Sequence, residues 1–233
     1  YNVVVGDEAG TAITTGDNNV AVGYSALTAN TTGAANVAMG QGAMLTSTTG
    51  SSNTALGQNA LYKNTTADSN TAVGKDTLYE NTTGATNTAV GRIALGANTT
   101  GSSNVAVGYA ALDANTTASN NTAVGYASLT ANTTGYNNVA VGKDAGKAIT
   151  TGIFNTFLGA LSGDAHTVGY NNVAVGTNAM GADVSSRACV AIGSGALTTM
   201  NNTNTDAYNT AVGYAAGEAV TTGVQNTLIG GIA

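Results

Sequence analysis

The sequence lacks the residues from which most globular cores and many active sites are built. Its 233 residues include no proline, no tryptophan, two phenylalanines, one cysteine and one histidine, and only 8% are charged. Large side chains are too scarce to fill a thick core of the usual kind. The single cysteine, Cys189, excludes both a disulfide framework and a Cys-x-x-Cys metal site.

Charge and hydropathy narrow the class of partner. The formal net charge is −6 and the six Lys and Arg residues are scattered, whereas nucleic-acid binding needs clustered basic residues, so we expect no nucleic-acid partner. No apolar run approaches the length of a membrane span. With 42% hydrophobic residues and a mean hydropathy of +0.06, the composition is not that of a disordered chain.

Glycine, alanine, asparagine and threonine fill the gap, and they recur in a repeat of 17 residues. The motif N-[VT]-A-V-G occurs fourteen times, with one step of 20 residues between Cys189 and Asn209. The consensus is N-[VT]-A-V-G-x-x-A-L-x-x-N-T-T-G-x-x; its positions are numbered 1 to 17 below, with Asn19 at position 1. The sequence therefore predicts a single repeat domain over residues 1–233, with an insertion within 200–208.

The repeat is too short for a helical hairpin and reads as strand. β-Branched residues at positions 2 and 4 favour a strand, and the glycine at position 5 in every copy fits a corner that needs positive φ or close backbone approach. A second short strand is expected around the A-L or T-T positions. We therefore predict an all-β fold, a parallel β-solenoid (β-roll) of about fourteen 17-residue coils.

Two patterns predict how the coils pack. Position 1 is Asn in all copies but one, where Cys189 stands, and stacked coils would place these amides in a ladder. Most copies have Leu or Met at position 9 and a polar residue at position 12, but Gly146 is paired with Ile149. Positions 9 and 12 should therefore share one core volume, which puts Gly163 and the only histidine, His166, in that slot.

The strand motif has apolar or small residues on both faces. We expect positions 2 and 4, such as Val73, to line the interior together with Leu78 at position 9. The rank of alanines at position 3 would then form a smooth outward patch suited to an interface between chains.

Catalytic chemistry is poorly represented. A Cys–His pair needs His166 and Cys189, which lie two coils apart at different repeat positions, and a Ser-His-Asp set using Asp164 has no nucleophile elbow beside it. We therefore predict no enzyme activity and no catalytic, cofactor-binding or metal-binding residues.

Two sets of side chains are candidates for surface binding. Four tyrosines stand at position 6, where exposed rings could stack on sugars, and the second threonine of each Thr-Thr pair would point outward in a column that could bind ice. The N-T-T sequence also makes six asparagines at position 12 formal glycosylation acceptors. The candidate binding residues are Tyr24, Tyr109, Tyr126, Tyr214, Thr32, Thr66, Thr83, Thr100, Thr117 and Thr134.

Repeats such as NTAVGYASLTANTTGYN (121–137) resemble the arrays in bacteriophage tail fibres and large bacterial surface proteins. More distantly, their A-[VI]-G-x-x-A core resembles the head domains of trimeric autotransporter adhesins, whose coils are shorter. That resemblance implies a left-handed β-roll, a homotrimer and an extracellular, cell-surface or virion-surface location.

The expected function is therefore a structural fibre, shaft or head module that supports attachment to a host-surface glycan or receptor. Because solenoid ends need capping and Ala233 stops partway through a coil, we expect the chain to belong to a longer fibre. The alternative is a repetitive binding surface for glycan, or for ice through the threonine column.

Overall fold

The structure, a computed structural model, describes residues 1–202 and 206–233. Each coil contributes one three-residue strand, at repeat positions 2 to 4. All fourteen strands are parallel and follow one another in chain order in one sheet, and the described residues contain no helix. The strands are β1 (Val3–Val5), β2 (Val20–Val22), β3 (Val37–Met39), β4 (Thr54–Leu56), β5 (Thr71–Val73), β6 (Thr88–Val90), β7 (Val105–Val107), β8 (Thr122–Val124), β9 (Val139–Val141), β10 (Thr156–Leu158), β11 (Val173–Val175), β12 (Val190–Ile192), β13 (Thr210–Val212) and β14 (Thr227–Ile229). The predicted all-β parallel solenoid is confirmed.

The chain divides into two compact units, residues 1–119 with β1–β7 and residues 120–233 with β8–β14. Within the units, paired residues are 17 apart, as in Thr71↔Thr88, except for the step of 20 at Val190↔Thr210. The insertion predicted within 200–208 includes residues 203–205, which lie outside the described residues.

The glycine at position 5 meets both conditions that the sequence suggested. Gly74 has φ of 133°, and a Cβ added there would lie 2.7 Å from the carbonyl oxygen of Gly91 in the next coil. A side chain would therefore collide with backbone, which cannot move without separating the coils.

The predicted second strand is absent from the described residues, because part of each coil has left-handed backbone. Positions 7, 9 and 17 carry side chains at positive φ, as in Ser25 (54°), Leu27 (54°) and Ala35 (57°). Extended strands do not contain such residues. Backbone hydrogen bonds still join these segments from coil to coil, as from Leu27 N to Ala43 O at 2.9 Å.

The expected orientation of the strand faces is wrong. The alanines at position 3, such as Ala72, are fully buried, whereas positions 2 and 4 are half-buried on the outer face, including Val73. Leu78 is buried as predicted. The coil is too narrow for β-branched side chains at position 3 as well as leucine at position 9, so the methyl group points inward and the larger side chains point outward.

Exchanges between repeat positions confirm that the core volume is shared. A Cβ at Gly146 would lie 3.5 Å from Cδ1 of Ile149, so the isoleucine occupies the space that position 9 normally fills. At Gly163 the same space is filled from position 3, where Phe157 replaces the usual alanine and its ring would lie 2.5 Å from an added Cβ. Total volume is kept although the contributing position changes.

The amide ladder at position 1 joins successive coils. Asn70 Oδ1 accepts a hydrogen bond from the backbone N–H of Asn87 at 2.9 Å. Asn70 Nδ2 donates to the carbonyl of Gly84 in its own coil at 3.0 Å. The side chain is fully buried, so each asparagine both closes its own coil and satisfies the first strand residue's neighbour in the next coil.

A second amide ladder runs along position 12. Asn81 Nδ2 donates to the same Gly84 carbonyl at 3.0 Å and to Asn64 Oδ1 of the preceding coil at 3.1 Å. Asn98 Nδ2 in turn donates to Asn81 Oδ1 at 2.8 Å. These asparagines are the glycosylation acceptors of the N-T-T sequence, and they are fully buried in the folded chain.

We predict that Asn70→Ala lowers the free energy of unfolding by about 2 to 3 kcal/mol, because the buried N–H of Asn87 loses its acceptor and a small cavity remains. Chemical denaturation measures the change. The matched control is Thr83→Ala, at an exposed position 14, which should change stability by less than about 0.5 kcal/mol. Equal stability of both variants would show that the ladder contributes little.

Candidate functional site

The threonines at position 14 form an exposed column in the first unit and again at the start of the second. Those singled out from the sequence, namely Thr32, Thr66, Thr83, Thr100, Thr117 and Thr134, are all exposed. The preceding threonine at position 13 is turned to a different use, since Thr82 Oγ1 donates to the carbonyl of Thr99 in the next coil at 3.0 Å. Each Thr-Thr pair therefore supplies one outward column.

The tyrosines at position 6 are exposed at the corner after the invariant glycine. The exposed fractions are 52% for Tyr24, 41% for Tyr109, 53% for Tyr126 and 67% for Tyr214. Arg92 lies over the ring of Tyr109, with its guanidinium carbon 5.7 Å from the ring centroid. Ligand binding by either set of side chains stays a prediction.

The only histidine belongs to a buried polar cluster. His166 Nδ1 lies 2.9 Å from Asp183 Oδ2, and the hydroxyl of Ser186 donates to Asp183 Oδ1. His166 Nε2 lies 3.2 Å from Asn172 Nδ2, and Phe157 packs edge-on against the imidazole. All five side chains are buried, so His166 is a packed core residue within the second unit.

This cluster differs from the serine–histidine pair of a hydrolase. The carboxylate of Asp183 lies between the hydroxyl of Ser186 and the imidazole of His166, so the hydroxyl has no contact with a base nitrogen. Activation of a serine nucleophile requires that contact. Asp164, the acid considered from the sequence, is not the partner of His166; burial raises the pKa of its carboxyl.

Sequence reasoning missed Asp183 because it searched neighbours along the chain. Asp183 occupies position 12, one coil after His166 at the same position. Residues 17 apart are the nearest neighbours in this fold, and the acidic residue could have been found by reading down that column. The second amide ladder was missed for the same reason, since the asparagines of position 12 were treated as polar alternatives to a core residue.

Cys189 takes the place of asparagine in the first ladder. Its backbone N–H donates to Asn172 Oδ1 at 3.0 Å, as the asparagine N–H does elsewhere. The thiol is fully buried. Burial raises its pKa to about 11, although a hydrogen bond from the backbone N–H of Asn209 acts in the opposite direction.

No protein-family model matches the chain, and no curated protein matches it. Among the described residues, no helix has the length and apolar character needed to cross a membrane.

We predict that Cys189 in the folded chain does not react with iodoacetamide at pH 8. A pKa of about 11 leaves roughly 0.1% of the thiol as thiolate at that pH, and the sulfur is shielded from the reagent. Intact-mass measurement should show alkylation only after the chain is unfolded in denaturant. Rapid stoichiometric labelling of the folded chain would instead identify an accessible, activated thiol.

Proposed function

We propose that the chain is a structural module, a β-solenoid fibre, shaft or head segment of a phage tail fibre or cell-surface adhesin. The observation that carries this proposal is the pair of buried amide ladders, which join coil to coil through residues that are the same in most repeats. A structure held in this way can be lengthened by whole coils without new packing solutions. Such a module supports attachment by holding a contacting part away from its base.

The proposed assembly is a homotrimer at an extracellular, cell or virion surface, with a host-surface glycan or receptor as the further partner. The outer face of the sheet supports self-association. Position 4 places aliphatic side chains there in every strand, and several are substantially exposed, including Met39 (43%) and Ile192 (40%). Ranks of exposed apolar side chains favour burial against another surface. The contact would be made by positions 2 and 4, not by the alanines.

Removal of one whole coil tests the modular proposal. We expect deletion of residues 36–52 to leave a folded chain with the strand content and association state of the parent, because Asn53 then takes the place of Asn36 in both register and ladder. The matched control deletes residues 36–44, which puts every following coil out of phase and should abolish cooperative unfolding. Circular dichroism and thermal unfolding report both outcomes. Loss of structure in the 17-residue deletion would contradict a fibre module built from interchangeable coils.

The proposed trimer predicts a mass of three times 22.7 kDa by sedimentation equilibrium. Val90→Glu, on the outer face of β6, should shift the mass toward one chain, because a buried unpaired carboxylate opposes association. Thr83→Glu, exposed at the corner of the preceding coil, is the control and should leave the mass unchanged. A monodisperse parent chain of 22.7 kDa over a wide concentration range would reject the trimer.

A further inference from the structure

At repeat position 10, two tyrosine rings stack and the next coil has no side chain to continue the stack. The rings of Tyr62 and Tyr79 are nearly parallel, at 7°, with their centroids 5.0 Å apart. In the next two coils this position holds Gly96 and then Asp113. The surface beside Tyr79 forms a groove of about 450 Å³ whose lining includes Asp76, Tyr79, Glu80, Ile93, Gly96 and Asp113.

The groove has the thickness of one planar group. Because neighbouring parallel strands are about 4.8 Å apart, equivalent residues two coils apart are separated by about 9.6 Å. Tyr79 and Asp113 are so related, and Gly96 between them leaves the intervening layer empty of side chain. A Cβ added at Gly96 would lie 2.7 Å from Asp113 Oδ1, so a carboxylate oxygen borders this layer.

The charge of the groove is negative. Both carboxylate oxygens of Glu80 are engaged by Lys63 Nζ, at 2.7 and 2.9 Å, and Asp76 Oδ1 accepts from Asn59 at 3.0 Å. The carboxylate of Asp113 has no hydrogen-bond or ion-pair partner among the described residues, and burial raises its pKa. A cation placed beside Asp113 would relieve this unfavourable environment.

The shape of the groove favours a planar organic cation over a metal ion. Within the described part of the chain, no three acidic, histidine or cysteine side chains come together as they would around a metal. Guanidinium is planar, stacks on aromatic faces and hydrogen-bonds to carboxylates, whereas ammonium is a compact, strongly hydrated charge.

The chain itself stacks guanidinium groups on tyrosines one coil away. Arg187 lies over Tyr170, 4.8 Å from the ring centroid, and Arg92 lies over Tyr109 at 5.7 Å. In both pairs the two residues are 17 apart and occupy the same repeat position. Gly96 stands in that relation to Tyr79, so the empty layer is where the fold elsewhere places an arginine against a tyrosine.

We propose that this groove, called here the Tyr79 groove, binds the guanidinium group of an arginine presented by another polypeptide. The guanidinium stacks on Tyr79 in the layer left open by Gly96 and donates hydrogen bonds to Asp113. The aliphatic part of the arginine side chain lies against Ile93. This site is independent of the proposed trimer, whose contacts are on the outer face of the sheet.

The test is a titration of the 233-residue chain with N-acetyl-arginine N-methylamide at low salt, followed by NMR. We expect saturable shifts of the Gly96 amide and the Tyr79 ring protons. N-acetyl-lysine N-methylamide should bind about fivefold more weakly, because it lacks a planar face and paired donors. Methyl β-glucopyranoside should cause no saturable shift at these residues.

Three variants test the assigned contacts. Gly96→Tyr should abolish binding, because its ring fills the layer and continues the Tyr62–Tyr79 stack. Asp113→Asn should weaken binding about fivefold while the chain stays folded. Thr130→Tyr adds a ring at the same repeat position two coils beyond Gly96 and should leave binding unchanged. If Gly96→Tyr unfolds the chain, Tyr79→Leu replaces it, with the same loss expected.

Several results would overturn the proposal. Absence of saturable shifts with the arginine probe would exclude the site. Equal affinity for the lysine probe would mean attraction to a diffuse negative charge, and preferential binding of the glucopyranoside would make the groove a sugar site. Unchanged arginine binding in folded Gly96→Tyr or Asp113→Asn would place the ligand elsewhere.

Discussion

The carbonyl at repeat position 15 is the point at which each coil closes. The oxygen of Gly84 accepts one hydrogen bond from Asn70, at the start of the coil, and another from Asn81, near its end. The same two amides reach the neighbouring coils through their oxygen atoms. One carbonyl thus couples the shape of a coil to its attachment to the next, in a buried setting where each unmade hydrogen bond is costly.

This closure explains the unusual composition. A coil drawn together by two amides encloses a cross-section that a leucine and a few methyl groups fill, as Leu78 and Ala72 do. Larger inward side chains are accommodated where another position gives up its volume, as Gly163 does for Phe157. The scarcity of aromatic residues therefore reflects the width of the coil, and stability comes from polar ladders as much as from apolar burial.

The repeat length, the parallel sheet, the position 5 glycine and the first ladder could be predicted, because each depends on identity at one position in every copy. The inward face of the strand could not be predicted from alternation alone, since Val and Ala are both compatible with a core. The second strand was predicted wrongly because positive φ at residues such as Ser25 and Leu27 leaves no mark in the hydrophobic pattern. The partner of His166 was hidden by a separation of 17 residues.

Variation in this chain acquires structural meaning down a column and not along the sequence. A tyrosine at position 10 is unremarkable in one coil, but Tyr62 followed by Tyr79 makes a stack, and Gly96 after them leaves its end open. His166 followed by Asp183 likewise makes a buried pair that neither residue implies alone. The ladder residues are constrained because every coil must close in the same way, whereas such columns can change from coil to coil. Local chemistry can therefore be added to a repetitive scaffold without altering the interactions that hold it together.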